Sequence, residues 1–217
     1  MFKFGQEAVN SEVIITPAGI LAGELAKALK NVSHFSARGW WKGWTGQRGN
    51  KKVSVINCGT GEKAADCILF LKESGVQKIF FFGFAGSVSK SLTPGSFCSP
   101  AAWAGGASFE EFAINLRTGK LPRKNARPFG KGQMRLPYGE KKGRIIYTLP
   151  SLFMERNIFK TLEKEGIDLV DMETAHAAFA ATGIDSRFLY YITDFQMEFV
   201  KTDIKKLSGI CLQSALL

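Results

Sequence analysis

The stretch VQKIFFFGFAG, residues 76–86, decides the fold class of this 217-residue chain. Its phenylalanines and their apolar neighbours follow one another without a polar interruption, which is typical of a parallel strand covered on both faces. The strongly apolar run, from about Ile79 to Val88, reaches only about half of the roughly 20 residues that a membrane-spanning helix needs. The sequence therefore predicts a buried strand, and we expect Gly83 and Gly86 to end it abruptly.

Strands and helices alternate on both sides of this strand. Apolar runs and helical periodicity, separated by glycine and proline turns, predict this order: strand 13–16, helix 20–30, an aromatic hairpin feeding a strand that ends at Cys58, helix 62–75, strand 76–86, further strand structure in 96–106, strand 144–151, helix 153–165, a short strand and helix in 166–183, strand 186–194 and a C-terminal helical tail. Such alternation predicts a mainly parallel sheet covered by helices on both faces.

The composition is that of one folded domain spanning residues 1–217. Hydrophobic residues make up 45% of the chain and charged residues 22%, without the bias of a disordered region. The N-terminus has no apolar stretch followed by a small-residue cleavage site. We therefore expect a cytoplasmic protein that does not bind a membrane.

The cysteines and histidines exclude several kinds of site. The four cysteines are widely spaced and form no CxxC pair, so they are interpreted as reduced packing residues rather than zinc ligands. With only His34 and His176 present, a site built on several histidines is excluded, and neither lies near a recognisable nucleophile motif. We expect no metal and no cofactor.

The net charge of +10 is concentrated in one segment. Residues 117–144 hold ten basic residues against the single acid Glu140, and their prolines and glycines favour an extended basic loop. A solvated loop is the first interpretation. Capture of a phosphorylated substrate and, less favoured, nucleic-acid binding are the alternatives.

The carboxyl ends of the predicted strands indicate where a ligand would bind, because parallel sheets place their sites at this edge. Glycines and carboxylates are concentrated in the segments that follow the strands: 16–19, 59–63, 83–87, 148–151, 171–173 and 193–194. The segment 59–64, GTGEKA, matches a dinucleotide fingerprint only weakly, since no acidic residue ends the next strand. Gly59 and Gly61 could instead present backbone donors to an anion or a sugar, or simply permit a tight turn.

Glu173 and Asp194 are the strongest candidates for chemistry. Each follows a predicted strand, so the fold could bring the two carboxylates to one crevice. Two carboxylates flanking a glycosidic bond can assist the leaving group and stabilise an oxocarbenium-like sugar. Helix capping is the alternative role for acids at such positions, and it explains Asp171 well.

At these residues the chain resembles the nucleoside phosphorylases and methylthioadenosine/S-adenosylhomocysteine nucleosidases. VDMETAHAAFA, residues 170–180, looks like their Met-Glu pair opening an alanine-rich helix, and Ile192–Asp194 looks like their Ser-Asp strand end. Residues 53–71 and 75–97 resemble the glycine turn and the Gly-x-x-Gly strand end of the family. The order and separations agree over approximately residues 12–195.

The resemblance implies a three-layer αβα sandwich with a mainly parallel, mixed central sheet that binds a nucleoside at the strand ends. Glu173 would bind the ribose hydroxyls, Met172 would pack against the sugar, and Asp194 would protonate the purine ring nitrogen. The resemblance further assigns substrate-binding positions to Phe153, or Leu152 beside it, and to Gly83, Phe84 and Thr193. The remaining candidates, for phosphate or sugar contacts, are Gly19, Gly59, Gly61 and Arg38.

Two departures from the family bear on the reaction. Phe80, Phe81 and Phe82 stand where phosphorylases typically place a phosphate-binding arginine, and a phenylalanine cannot replace a guanidinium fork. Ala18–Ile20 stand where hydrolases place a water-positioning glutamate, and Glu24 is the nearest downstream carboxylate. Phosphate stays a candidate ligand because Arg38 or the basic loop could supply a cation.

Three functions follow from these observations. The first is cleavage of the N-glycosidic bond of a purine nucleoside or related metabolite, with hydrolysis slightly preferred over phosphorolysis. The second is a nucleoside- or nucleotide-binding protein with weakened catalysis, and the third is a nucleic-acid-binding or interaction protein. Trp40, Trp41 and Trp44 on the predicted hairpin favour packing or a subunit contact over ligand stacking, and we expect a homo-oligomer.

Overall fold

The computed structural model describes residues 9–37, 40–118, 120–129, 143–195 and 198–216. Its strands are β1 Glu12–Thr16, β2 Lys30–Ala37, β3 Trp41–Arg48, β4 Lys51–Asn57, β5 Lys78–Ser87, β6 Phe97–Cys98, β7 Ala102–Gly105, β8 Arg127–Pro128, β9 Ile145–Thr148, β10 Leu169–Asp171, β11 Asp185–Phe195 and β12 Glu198–Phe199. Its helices are α1 Gly19–Lys27, α2 Lys63–Glu73, α3 Phe109–Leu116, α4 Glu155–Lys164, α5 Thr174–Ala180 and α6 Ile204–Ala215, and a 3-10 turn covers Leu152–Met154.

Strand β5 is the centre of one mixed sheet. Its first half pairs in parallel with β1, its whole length pairs in parallel with β11, and its end pairs antiparallel with β10. The main path runs β2-β3-β4-β1-β5-β10-β9-β7-β8, so β5 joins the hairpin side of the sheet to the β9–β10 side. The predicted buried strand is confirmed and occupies the middle of the sheet.

The side chains of β5 alternate between two apolar layers. Phe81 packs in a cluster with α2 and α5, whereas Phe80 and Phe82 pack in a cluster with α1 and α6. Burial of each such ring contributes roughly 1.5–3 kcal/mol. The predicted three-layer αβα sandwich is therefore confirmed. None of the helices within the described ranges has both the length and the apolar character needed to cross a membrane.

The prediction that Gly83 and Gly86 end the strand abruptly is wrong, because β5 continues through both residues to Ser87. Their role is close packing within the strand. A Cβ on Gly83 would lie 2.6 Å from Cε1 of Tyr190 and 2.7 Å from Cε1 of Phe81, so these two rings occupy the space of a side chain. Glycine in a strand interior often marks such a close approach.

Helix α3 was not predicted, although the sequence contains a signal for it. Ser108 accepts a hydrogen bond from the backbone N–H of Glu111 at 3.1 Å, which caps the helix. The Ser-x-x-Glu spacing of these two residues is the capping-box pattern. Proximity to the basic segment hid this short helix from the sequence analysis.

The described part of the basic segment is anchored by acids of neighbouring elements. Arg123 pairs with Glu111, Lys124 pairs with Glu165, and Arg144 pairs with Asp168. These ion pairs occupy three of the basic residues, and the solvated loop of the first interpretation stays a prediction. Residues 119 and 130–142 lie outside the described residues, as does Arg38.

The predicted hairpin is confirmed as β2 and β3, and its tryptophans have different environments. Trp41 is buried against Phe70 and donates its Nε1–H to the backbone oxygen of Cys58 at 3.2 Å. Trp40 is 74% exposed, whereas Trp44 is partly buried. Packing thus explains Trp41, while the subunit contact stays a prediction.

The packing of Gly83 predicts a stability effect. Gly83→Ala should lower the free energy of unfolding by about 1–3 kcal/mol, because the added methyl overlaps the rings of Phe81 and Tyr190. Gly23→Ala is the matched control: Gly23 lies inside α1 with open space around its Cβ position, so alanine should stabilise by about 0.5–1 kcal/mol. Urea denaturation of both variants measures the difference, and equal stabilities would contradict the packing argument.

Candidate active site

A cavity of about 270 Å³ opens at the carboxyl edge of the sheet. It lies where β1, β5, β10 and β11 end, as the alternating strand and helix pattern predicts. The residues that line it are Pro17, Ala18, Thr60, Phe84, Ala85, Gly86, Leu152, Glu155, Val170, Asp171, Met172, Glu173, Thr193 and Asp194. Segments from six separate regions of the chain therefore meet around one space.

Asp194 lies near the end of β11 and is only 3% exposed. The register between β5 and β11 shifts between Ile192 and Asp194, and such irregularities re-aim a side chain at the end of a strand. The hydroxyl of Thr193 donates to Oδ1 of Asp194 at 2.6 Å. The backbone and its neighbour thus hold this carboxylate at the cavity wall.

Glu173 immediately precedes α5 and is 6% exposed. Its Oε1 accepts a hydrogen bond from the backbone N–H of Gly61 at 3.0 Å. Gly61 has a φ of +64°, a left-handed conformation that glycine adopts without strain. The glycine turn after β4 therefore presents a backbone donor, as the sequence suggested. Its acceptor in this structure is the carboxylate of Glu173.

Asp171, the last residue of β10, stabilises the start of α5 next to Glu173. It accepts hydrogen bonds from the Thr148 hydroxyl at 2.8 Å, from the Thr174 backbone N–H at 2.9 Å and from the Thr174 hydroxyl. Thr174 also hydrogen bonds to the hydroxyl of Tyr190. These contacts give the first backbone N–H of α5 a hydrogen-bond acceptor, which is the helix-capping role that the sequence predicted for Asp171.

Burial changes the acidity of the cavity carboxyls. Burial, and after it the neighbouring charge of Asp171, raises the pKa of Glu173 to about 8, against the lowering effect of the backbone hydrogen bond from Gly61. Burial also raises the pKa of Asp171, against which the hydrogen bonds from Thr174 and Thr148 act. Near neutral pH, Glu173 therefore holds its proton for much of the time and can donate as well as accept.

The remaining substrate-binding candidates divide into two groups. Met172, Phe84 and Thr193 line the cavity, as expected for residues near a ligand. Phe153 does not: it is 88% exposed, and its neighbour Leu152 lines the cavity instead. The 3-10 turn over these residues points adjacent side chains in different directions, so only one of the two can face inward.

The glycine candidates lie around the cavity rather than on its wall. Gly83 packs within the sheet, and Gly19 lies at the start of α1, where a Cβ would be 3.0 Å from Nδ2 of Asn57. Gly59 has a φ of +74° and donates its N–H to Oδ1 of Asn57 at 3.2 Å. Pro17, Ala18 and Thr60 are the loop residues that reach the cavity from these two turns.

Glu155 is the lining residue that the sequence analysis missed. It is the first residue of α4 and is 3% exposed, on the same helix face as the buried Ile158 and Leu162. A carboxylate at i with apolar residues at i+3 and i+7 was the available signal, since a buried acid on an apolar face needs an explanation. Helix periodicity alone could not show that this face meets the strand ends.

The cavity is acidic in its described lining. Four of the lining residues carry carboxyl groups and none is a lysine, arginine or histidine. Within the described ranges, no group of three or more histidines, cysteines or acids is arranged to hold a metal ion. The arrangement can supply protons and accept hydrogen bonds from sugar hydroxyls, but these residues offer no cation for an anionic group.

The raised pKa of Glu173 predicts a pH-dependent stability. An acid whose pKa is higher in the folded state stabilises the fold below its ordinary pKa, and this contribution is lost as pH rises through the folded value. The wild type should therefore lose unfolding free energy between about pH 4.5 and pH 8, by roughly 1–3 kcal/mol, and Glu173→Gln should lose less over the same range. Thermal melts from pH 4.5 to 8.5 test this, and parallel curves would contradict it.

Both the fold and the sequence of this chain are similar to those of known proteins. The uridine phosphorylase from Vibrio fischeri ES114, in complex with 6-hydroxy-1-naphthoic acid, aligns with a TM-score of 0.72 at 15% identity, covering 98% of this chain and 93% of that chain. A structure from work on two uridine phosphorylases of the oomycete Phytophthora capsici aligns with a TM-score of 0.74 at 14% identity, covering 99% of this chain and 92% of that chain. No curated protein matches the sequence at a significant level. The family model of the phosphorylase superfamily matches residues 13–126, slightly more than half of the chain, and the protein therefore belongs to that superfamily.

Proposed function

We propose that the protein cleaves the N-glycosidic bond of a purine nucleoside or related metabolite, with hydrolysis preferred over phosphorolysis. The observation that carries the proposal is the meeting of Glu173 and Asp194 at one cavity, although 20 residues separate them in the sequence. Membership of the phosphorylase superfamily supports the same class of reaction. The site residues keep the roles that the family resemblance gives them.

In this proposal the two carboxyls act on opposite parts of the substrate. Glu173 hydrogen bonds to the ribose hydroxyls while Met172 packs against the sugar, and positive charge develops on the sugar as the bond breaks. Asp194 donates a proton to the ring nitrogen of the departing purine, which makes the base a better leaving group. Phe84 covers the base at the cavity wall.

A purine suits this cavity because its ring nitrogen can take a proton from a carboxylic acid. The named structural neighbours are uridine phosphorylases, but their 14–15% identity reports the fold rather than the base. In the proposal, Asp194 on the cavity wall donates that proton. A purine with an accessible basic nitrogen uses that chemistry directly.

Hydrolysis is preferred on electrostatic grounds. A phosphate dianion needs cationic or backbone donors, and the described lining offers carboxyls without a cation. Phe80, Phe81 and Phe82 are buried in the sheet and contribute none. Water, which is neutral, enters an acidic cavity without this repulsion.

A binding protein with weakened catalysis is the second candidate, and one observation favours it. Glu24 forms an ion pair with Lys27 at 2.6 Å on α1 and is not among the lining residues. Among the described residues, no carboxylate after β1 therefore takes the place of the water-positioning glutamate of hydrolytic relatives. Ligand-induced thermal stabilisation without product would favour this candidate.

Asp194→Asn tests the proposed reaction. The amide cannot deliver the proton, so release of free base from purine nucleosides should fall by about 10²–10⁴-fold. Chromatography of free base with and without added phosphate measures both the rate and the reaction type. Release that requires phosphate would contradict hydrolysis.

Asp203→Asn is the matched control for this variant. Asp203 is exposed and caps α6 by accepting from Lys206 N at 3.1 Å, a role that asparagine also fills. It should release base at the wild-type rate. Unchanged turnover in a folded Asp194→Asn preparation would overturn the acid role of Asp194.

A further inference from the structure

One carboxyl oxygen of Glu155, at the cavity wall, has no hydrogen-bond partner among the described residues. Glu155 is 3% exposed, and its Oε1 is buried with no hydrogen-bond partner in the part of the chain that the structure describes. The residue lines the same cavity as Asp194. A buried carboxyl oxygen without a partner is costly to the fold, so its position requires a functional explanation.

Gly86 brings Glu155 next to Asp194. A Cβ on Gly86 would lie 3.2 Å from Oδ2 of Asp194 and 3.3 Å from Oε1 of Glu155. Both carboxyl oxygens therefore converge on the single space that the missing side chain of this glycine leaves open. The start of α4 and the end of β11 meet across β5 at this point.

Every charged group that faces this point from the lining elements is an acid. Asp194 comes from β11, Asp171 from the end of β10 and Glu173 from the residue before α5, and the described lining contains no lysine, arginine or histidine. Two ionised carboxylates side by side in such a space repel each other strongly, because the low dielectric strengthens their interaction. Adjacent carboxyls relieve this repulsion by retaining one proton between them.

We infer that Glu155 and Asp194 share one proton, and that Glu155 keeps this proton available to Asp194 for transfer to the departing base. The inference rests on the proposed function for its catalytic part, whereas the shared proton stands on the geometry. Glu155 acts through Asp194, as a positioning residue for its proton.

The transfer balances through the nucleoside and water. The O–H bond of Asp194 breaks as its proton passes to the base, the C–N glycosidic bond breaks, and the bonding electrons leave with the base. Water then adds its hydroxyl to the sugar carbon and releases one proton. That proton returns to the carboxyl pair, which regains its starting state for the next cycle.

The acidity of Glu155 agrees with this arrangement. Burial, and after it the charge of Asp194, raises the pKa of Glu155 to about 7. Glu155 therefore holds a proton below about pH 7 and loses it as the pH rises through that value. An isolated exposed glutamate would lose its proton near its ordinary pKa of about 4.3.

A titration of protein labelled with ¹³C at the glutamate side-chain carboxyls tests the shared proton directly. Besides the resonance of Glu173, whose pKa is higher, one glutamate resonance should titrate near pH 7 in the wild type and in Glu163→Gln, a control with the same substitution at an exposed position of α4. The resonance should be absent in Glu155→Gln, and in Asp194→Asn its midpoint should fall by at least one pH unit. An ordinary midpoint for Glu155 in the wild type, or an unchanged one in Asp194→Asn, would overturn the pairing.

The pH profile of kcat/KM for base release tests the catalytic part. The wild type and Glu163→Gln should lose activity above about pH 7, and in Glu155→Gln this limb should move at least one unit towards acid. An unmoved limb in Glu155→Gln would overturn the proton supply. Because the NMR titration needs no turnover, absence of base release from every nucleoside would count against the proposed function alone, while the titration still decides the pairing.

Discussion

The pairing of β5 with three other strands is the constraint on which the structure depends. Because β5 touches β1, β11 and β10 along different parts of its length, it fixes the relative height of three strand ends. Gly83 and Gly86 make this possible without ending the strand, since the first admits the ring of Tyr190 and the second admits two carboxyl groups. A bulkier residue at either position would separate neighbours that the cavity needs in contact.

The chemistry of the cavity follows from what the strand ends carry. Apolar residues dominate the sheet interior, so the carboxyls at its edge lie against a medium that disfavours their charged forms. Hydrogen bonds offset part of this cost for Asp171, but its pKa is still raised, as are those of Glu155 and Glu173. Protonation of these carboxyls therefore sets the charge of the site, because the described lining supplies no cationic side chain to balance ionised carboxylates.

The sequence predicted the fold well because hydrophobic periodicity reports burial on each side of a strand. The order of strands and helices, the carboxyl-edge position of the cavity, and the placing of Glu173 and Asp194 on its wall all followed from that signal and from the family resemblance. Side-chain direction was less accessible: a 3-10 turn decided that Leu152 rather than Phe153 faces inward. Glu155 was missed because the partner of its helix face is a tertiary contact that no local pattern reports.

The hydrogen bond from Gly61 to Glu173 joins two turns that are 112 residues apart in the sequence. It fastens the glycine turn after β4 to the residue before α5, on the rim that Thr60 and Met172 share. The conformational entropy of this rim is therefore lost when the chain folds rather than when a ligand arrives. A ligand would meet a preorganised opening, and more of its contact energy would remain as affinity.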